Sequence, residues 1–134
     1  ALEGLYEYEC LFPEKKRAIS KVRARGHEFL LAHRLYKSHR TGKVFDPKMT
    51  TMPFPPRWKY DFIRGLDYFQ ACNAPRDERM SDAIELLQSK QKKDGTWPMN
   101  SGMSGLKYFD LEKAGQPSRW NTLRALRILN WWNK

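Results

Sequence analysis

A seven-residue stretch in the C-terminal half constrains the fold more than any other feature of the chain. It reads Q-K-K-D-G-T-W over residues 91–97 and directly follows a segment with helical apolar spacing. Gln91 can hydrogen-bond backbone groups exposed at a helix end, and Gly95 can turn the chain because glycine tolerates positive φ. Trp97 then offers a large flat apolar surface to the helix that has just ended. The pattern predicts a helix stop that folds the chain back on itself.

Helical apolar spacing recurs over most of the chain, and no segment shows sustained alternation of apolar and polar residues. We therefore predict an all-α fold. Ser118 is the predicted N-cap of the last helix. Gly65 lies within the third helix, where it costs about 1 kcal/mol relative to alanine, and this indicates a close helix–helix approach. The predicted helices span about residues 2–11, 14–39, 57–72, 77–92 and 118–132, with a Pro-rich connector before the third and a long loop before the fifth.

Two self-similarities indicate an internal repeat. Pro-Arg-Trp at residues 56–58 recurs as Ser-Arg-Trp at 118–120, and proline precedes both copies. Independently, residues 26–30 resemble residues 83–87 at nearly the same separation. The repeating unit is a pair of helices of about 60 residues. The end of the first copy, at 39–44, keeps its glycine but has lost the glutamine and the tryptophan.

The Q-x-x-D-G-x-W pattern, paired with this two-helix repeat, resembles the QW motif of the squalene/oxidosqualene cyclase and protein prenyltransferase β-subunit superfamily. The resemblance covers about residues 25–132 and implies an α/α toroid, a ring of helical hairpins around a central cavity. Residues 1–134 supply too few hairpins to close such a ring, so we predict a single domain forming a partial toroid of about five helices. We favour the C-terminal part of a longer protein, with the remainder of that polypeptide as partner, over self-association with further copies.

The catalytic motifs of that superfamily have no counterpart in this sequence. Squalene-type cyclases use an acid from Asp-x-Asp-Asp, and class I terpene synthases hold magnesium through Asp-Asp-x-x-Asp; neither run occurs. Prenyltransferase β-subunits bind zinc through Asp, Cys and His, but neither Cys10 nor Cys72 lies in an Asp-x-Cys context. We transfer no catalytic residue, metal ligand or cofactor, and whether the chain is an enzyme stays open.

The repeated Arg-Trp pair, which is predicted to open a helix in both copies, supplies candidate substrate-binding residues. The resemblance implies that such helix ends face a cavity, where aromatic rings stabilise carbocations and arginines hold diphosphate. The cavity would take an apolar or anionic small molecule. The alternative is that the tryptophans pack and the arginines pair with carboxylates. Asp110 and Glu112 can act as an acid–base pair or pair with nearby arginines. The candidates are Arg57, Trp58, Tyr60, Asp61, Asp110, Arg119, Trp120, Asn121 and Arg124.

The net charge of +10 is concentrated in residues 14–43, where Glu14 and Glu28 are the acidic residues. This stretch is either a solvated helix face or a surface for nucleic acid or another polyanion. In the second case the chain is a non-catalytic helical-repeat module that binds a polyanion or a partner protein. Three histidines recur every six residues here, and on one helix such spacing puts neighbours on different faces, so we predict no metal site. They are His27, His33 and His39.

Localisation follows from what the sequence lacks. No apolar run approaches the length of about 20 residues that spans a bilayer, and residues 1–4 show no signal-peptide pattern. Cys10 and Cys72 have no second Cys or His at zinc spacing, so we interpret them as reduced thiols. We therefore predict a cytoplasmic protein without a membrane span.

Overall fold

The computed structural model describes residues 1–56, 58–100 and 108–134. Within these ranges helices dominate, joined by short 3₁₀ turns and one two-stranded antiparallel sheet. The helical class predicted from the sequence is confirmed at this level, and the small sheet was not predicted. None of the described helices combines the length and the apolarity needed to cross a bilayer. The elements are α1 (Leu2–Leu11), α2 (Lys16–Ala32), α3 (Phe62–Ala71), α4 (Ser81–Ser89), β1 (Trp97–Pro98), β2 (Pro117–Ser118) and α5 (Arg119–Trp132).

The helix boundaries match the sequence best at the two ends of the chain. Helix α1 has the predicted limits, and Ser118 caps α5 as predicted, its Oγ accepting a hydrogen bond from the Asn121 amide at 3.0 Å. Helix α4 is shorter than predicted, because a 3₁₀ turn at Glu78–Met80 precedes it and it ends at Ser89. A capping side chain thus marks the start of α5, whereas α1 and α4 have no side-chain cap at their N-termini.

Helices α2 and α3 differ from their predicted limits for local backbone reasons. Helix α2 ends at Ala32, because Arg34 and Leu35 take positive φ angles of 43° and 66° that no α-helix accommodates. Helix α3 begins at Phe62, because the extended Asp61 caps it. Trp58 therefore precedes α3, and the prediction that it lies in the opening turn of this helix is wrong.

The stretch at residues 91–97 forms the predicted return turn. Gly95 has a φ of 82°, and Trp97 is fully buried. The Trp97 indole Nε1 donates to the Leu87 carbonyl at 2.7 Å, so the ring packs on the helix that has just ended. Gln91 does not bond the helix end as predicted; its Nε2 donates to the Gly95 carbonyl at 3.2 Å, within the turn.

The first copy of the repeat keeps a similar turn but lacks its anchor. The Ser38 amide donates to the Lys43 carbonyl at 2.8 Å, and Gly42 has a φ of 68°. Val44 and Phe45, which follow the turn as Trp97 follows the second one, are exposed. The turn therefore depends on glycine and backbone bonds, and the tryptophan adds the attachment to the core.

The core surrounds α3, which packs against α4 and α5. Trp97, Phe62, Phe69 and Ile128 are among its fully buried side chains. The close approach predicted at Gly65 exists, but the neighbours are the side chains of Leu35 and Tyr60 rather than another helix. The apolar stripe predicted for α2 is partly wrong, since Val22 and Phe29 are exposed and Leu31 is the buried residue of this helix.

Candidate ligand-binding cleft

A cleft of about 340 Å³ opens where the first turn of α1 meets α2, α3 and the segment before α3. Its volume lies within the range of small-molecule sites. Two of the predicted site residues, Trp58 and Tyr60, line it, and the Trp58 side chain is 79% exposed. The lining residues are Ala1, Leu2, Glu3, Leu30, Trp58, Tyr60, Arg64, Gly65 and Tyr68.

The hydroxyl of Tyr60 has no partner in the part of the chain that the structure describes. Its oxygen is buried and makes no hydrogen bond within the described residues. Gly65 leaves the space that the hydroxyl occupies, since a Cβ at that position would lie 2.5 Å from the Tyr60 oxygen. Burial raises the pKa of Tyr60 far above its ordinary value, so the group is a neutral O–H donor at physiological pH. A buried donor left unpaired costs about 1–3 kcal/mol, which an acceptor on a ligand would recover.

A second tyrosine of the cleft is already paired. Tyr68 and His27 approach at 2.7 Å between the hydroxyl oxygen and Nε2. Burial lowers the pKa of His27, which keeps the imidazole neutral at pH 7, so one hydrogen bond joins its Nε2 to the Tyr68 hydroxyl. Burial also raises the pKa of Tyr68 to about 12. The hydroxyl of Tyr68 is therefore paired and uncharged.

The charged residues of the cleft neutralise each other. Arg64 donates to both carboxylate oxygens of Glu3, from Nε at 2.9 Å and from a terminal nitrogen at 2.6 Å. The hydrogen bond from Arg64 holds the pKa of Glu3 below its usual value, so the pair stays ionised on both sides. An anionic ligand would have to displace Glu3. The cleft therefore favours an uncharged molecule over a diphosphate.

Two other predicted site residues, Asn121 and Arg124, lie in a buried joint instead of a cavity. The Asn121 Nδ2 donates to the carbonyls of Met52 and Pro98 at 2.8 and 3.1 Å. The Arg124 Nε donates to Asp67 at 2.6 Å, so its carboxylate partner comes from α3 and not from the loop before α5. These side chains tie the Pro-rich connector, β1 and α3 to α5. These hydrogen bonds to protein groups favour a structural role for both side chains, and their prediction as ligand-binding residues stays a prediction.

Asp61 combines a cap with an unpaired atom. Its Oδ1 accepts a hydrogen bond from the Arg64 amide at 2.8 Å, which caps α3. Its Oδ2 is buried without a partner in the described part of the chain. Burial raises the pKa of Asp61, against the opposing effects of the Arg64 amide and of the Arg124 charge. Asp61 does not line the cleft, although it adjoins Tyr60 in the chain.

The remaining candidates lie elsewhere. Trp120 stacks on Phe54 with ring centroids 5.2 Å apart and an interplanar angle of 5°, so it does not share the cleft with Trp58. A cavity ringed by both tryptophans, which the repeat predicted, is not formed by the described residues. The Arg119 amide donates to Glu112 at 2.8 Å, which favours structural pairing for that acid. Asp110 is exposed, and Arg57 lies outside the described residues.

Sequence reasoning missed Tyr68, Arg64 and Glu3. Among the residues of the sequence analysis, Gly65 indicated a close contact in this region, since a glycine inside an amphipathic helix predicts a close approach. Tyr68 lies three residues further along α3 and therefore on the same helix face as Gly65. Glu3 comes from α1, and no local pattern relates it to Arg64.

Comparison with known proteins identifies no relative of this chain, so its function is inferred from these contacts. No protein-family model matches the chain, and neither the curated protein sequences nor the solved structures give a significant match. The proposals below therefore rest on the geometry of the described residues and on the resemblance of the repeat.

Proposed function

We propose that this chain binds an uncharged, largely apolar small molecule in the cleft, with Tyr60 donating a hydrogen bond to the polar end of the ligand. The buried and unpartnered Tyr60 hydroxyl is the observation that carries the proposal. Trp58 supplies a flat apolar face in the same cleft. The neutral tyrosines and the closed Arg64–Glu3 pair suit recognition of a molecule without net charge. The groups described here support binding, and we propose no reaction.

We also propose that the fold is a partial α/α toroid within a larger array of helical hairpins. The return turn anchored by Trp97 and the packing of α3 against α5 support this interpretation. Apolar side chains exposed on α2 and on α5 support it as well, because hairpin repeats cover such faces with their neighbours. These side chains are Val22 and Phe29 of α2 and Leu123 and Leu126 of α5.

The binding proposal can be tested with an isoprenoid alcohol and its diphosphate. Displacement of the neutral fluorophore N-phenyl-1-naphthylamine by farnesol and by farnesyl diphosphate compares the two ligand charges directly. We expect farnesol to bind more tightly, and Tyr60→Phe to weaken farnesol binding by about tenfold, the value of one buried hydrogen bond. Trp58→Ala should weaken both ligands. Trp120→Ala is the matched control, since Trp120 lies outside the cleft. Equal displacement curves for all three variants would show that the ligand binds elsewhere.

A second candidate function, polyanion binding, rests on a row along α2. Arg17, Lys21 and Arg25 are exposed at intervals of four residues, and Phe29 continues the row with 64% of its side chain exposed. Cations followed by an exposed aromatic ring are typical of surfaces that bind single-stranded nucleic acid.

The salt dependence of oligothymidine binding, measured by fluorescence anisotropy, tests this second candidate. We expect the slope of log K against log salt to become shallower by about 0.7 in Lys21→Gln, because one phosphate contact is lost. Lys93→Gln removes a charge from the turn after α4 and should leave the slope unchanged. No binding at about 50 mM salt would remove this function.

A further inference from the structure

Two histidines far from the cleft lie in direct contact. The Nε2 atom of His33 is 3.3 Å from the Nδ1 atom of His39, and the two rings meet at 74°. Their sequence spacing predicted separate faces of one helix. That prediction is wrong because α2 ends at Ala32, and the positive φ angles of Arg34 and Leu35 fold the following residues back. The pair is therefore a product of the helix end.

Hydrogen bonds hold both sides of this pair. The Nδ1 atom of His33 is 2.8 Å from the carbonyl oxygen of Phe29. On the other side, the Ser38 amide donates to the Lys43 carbonyl at 2.8 Å and closes the turn that carries His39. The Lys37 amide also donates to the His33 carbonyl at 2.7 Å. The two imidazoles thus have a defined separation.

The partners of His33 determine which nitrogen carries its proton. A carbonyl oxygen only accepts, so the Nδ1 of His33 must be protonated and donate to Phe29. In the neutral ring the Nε2 of His33 then has a lone pair directed at His39. A histidine that donates one N–H to a carbonyl and offers the other nitrogen is the usual arrangement of a metal ligand.

We propose that His33 and His39 form a binding site for a divalent transition-metal ion, with Zn²⁺ and Ni²⁺ as suitable ions. Zinc–imidazole bonds of about 2.0–2.1 Å at a tetrahedral angle separate the two nitrogens by about 3.3–3.4 Å. The observed separation of 3.3 Å matches this value. The ion takes the position between the rings, ligated by Nε2 of His33 and Nδ1 of His39, and the single proton of neutral His39 moves from Nδ1 to Nε2.

The residues around the two histidines determine how many protein ligands and how much charge repulsion a bound metal ion meets. No group of three or more His, Cys, Asp or Glu side chains is placed to hold a metal within the described ranges, so water completes the coordination. The neighbouring cations Arg34 and Lys37 are both paired with Asp82, at 3.0 and 2.7 Å, which reduces their repulsion of a metal ion. The site is open and consists of two protein ligands on a preformed turn.

Isothermal titration of the untagged protein with ZnCl₂ and with NiCl₂ tests the proposal. A Cys10→Ser background removes an exposed thiol that would bind zinc. We expect one ion per chain, and a loss of affinity of at least about tenfold in His33→Gln and in His39→Gln, since even outer-shell partners of a metal contribute that much. His27→Gln is the matched control, because His27 contacts Tyr68 and not this pair.

A second readout separates binding from folding defects. His39 is exposed, so its substitution leaves the core intact. We expect 1 mM Ni²⁺ to raise the Tm of the Cys10→Ser protein and of its His27→Gln variant, and not that of its His39→Gln variant, because ligands stabilise the state that they bind. Equal metal affinity in His39→Gln and in the parent protein, or no binding at 1 mM metal, would overturn the proposal.

Discussion

Helices α3 and α5 begin in the same way, but the polar groups buried beside the two helix starts differ in their hydrogen bonding. Each helix begins after an extended polar residue whose side chain caps it, Asp61 for α3 and Ser118 for α5. At the entry of α5, Asn121 uses both hydrogens of its amide on protein carbonyls. At the entry of α3, the Tyr60 hydroxyl and one carboxylate oxygen of Asp61 are buried and have no hydrogen-bond partner among the described residues.

Because of this difference, we interpret the α5 entry as a structural joint and the α3 entry as part of a candidate binding site. Buried polar groups in stable proteins are paired, since each unpaired group costs about 1–3 kcal/mol. The entry of α5 obeys this rule and holds the connector, β1 and α3 together. Within the described residues, the entry of α3 departs from this rule at two buried atoms, and one of them belongs to Tyr60, which lines the cleft. The two helix entries thus share a capping device, and the polar groups buried beside them differ in their pairing.

The largest expected effect is at the satisfied entry. Asn121→Ala removes the Asn121 hydrogen bond to the Pro98 carbonyl and one of the two hydrogen bonds to the Met52 carbonyl, which keeps the Asn100 amide at 3.2 Å. It also opens a cavity in the core, so we expect a loss of about 3 kcal/mol in the free energy of unfolding. Chemical denaturation monitored by circular dichroism measures it. Asn130→Ala, an exposed position of the same helix, should change stability by less than about 0.5 kcal/mol. Similar values for the two variants would contradict the assignment of Asn121 as a joint.

The next effect concerns the glycine beneath the unsatisfied entry. Gly65→Ala puts a Cβ 2.5 Å from both the Tyr60 oxygen and a methyl group of the buried Leu35, so we expect a loss of about 1–3 kcal/mol despite the better helix propensity of alanine. Gly26→Ala is the control, since the nearest atom to its Cβ, at 2.5 Å, would be a methyl group at the end of the flexible, partly exposed Leu2 side chain, which can move aside. That variant should be neutral or gain up to about 1 kcal/mol. Thermal unfolding measures the change in Tm for both variants. Equal changes would show that the space at Gly65 is not constrained.

The sequence predicted those parts of the fold that depend on neighbouring residues. The Trp97 turn, the Ser118 cap and the limits of α1 follow from side chains a few residues apart. The end of α2 was not predicted, because Arg34 and Leu35 adopt positive φ angles that are usual for glycine and uncommon for other residues. The contact between His33 and His39 depends on that helix end and was missed with it.

The candidate site was predicted less well, because its parts come from distant segments. Trp58 and Tyr60 were found through the repeated Arg-Trp pair and do line the cleft. The same reasoning chose Asn121 and Arg124, which the fold uses internally. The sequence of a helix entry looks the same whether its polar side chains hydrogen-bond to protein groups or to a ligand. Only the positions of Met52, Pro98 and Asp67 in space separate the two cases.

A smaller effect tests the unpaired carboxylate. Asp61→Asn keeps the capping oxygen and removes a buried charge, so we expect a gain of about 1 kcal/mol at pH 7. Burial raises the pKa of Asp61 in the folded state, so the folded protein binds this proton more tightly than the unfolded chain does. The carboxyl therefore favours folding below its unfolded pKa, and that contribution is lost as the pH rises through its folded pKa. The gain from Asp61→Asn should accordingly shrink toward pH 3. Asp46→Asn, the same exchange at a less buried cap, controls for the loss of a charge.

The smallest effect on stability compares the two tyrosines of the cleft. Tyr60→Phe removes a hydroxyl that has no partner, so we expect stability to stay constant or to rise by less than about 1 kcal/mol. Tyr68→Phe removes the hydrogen bond to His27 and should cost about 1 kcal/mol. Urea denaturation without ligand measures both. Farnesol should then stabilise Tyr68→Phe more than Tyr60→Phe, because the hydroxyl that we assign to the ligand is retained only in the former. A loss in Tyr60→Phe as large as that in Tyr68→Phe would mean that the protein itself satisfies the Tyr60 hydroxyl, and the α3 entry would then be a second structural joint.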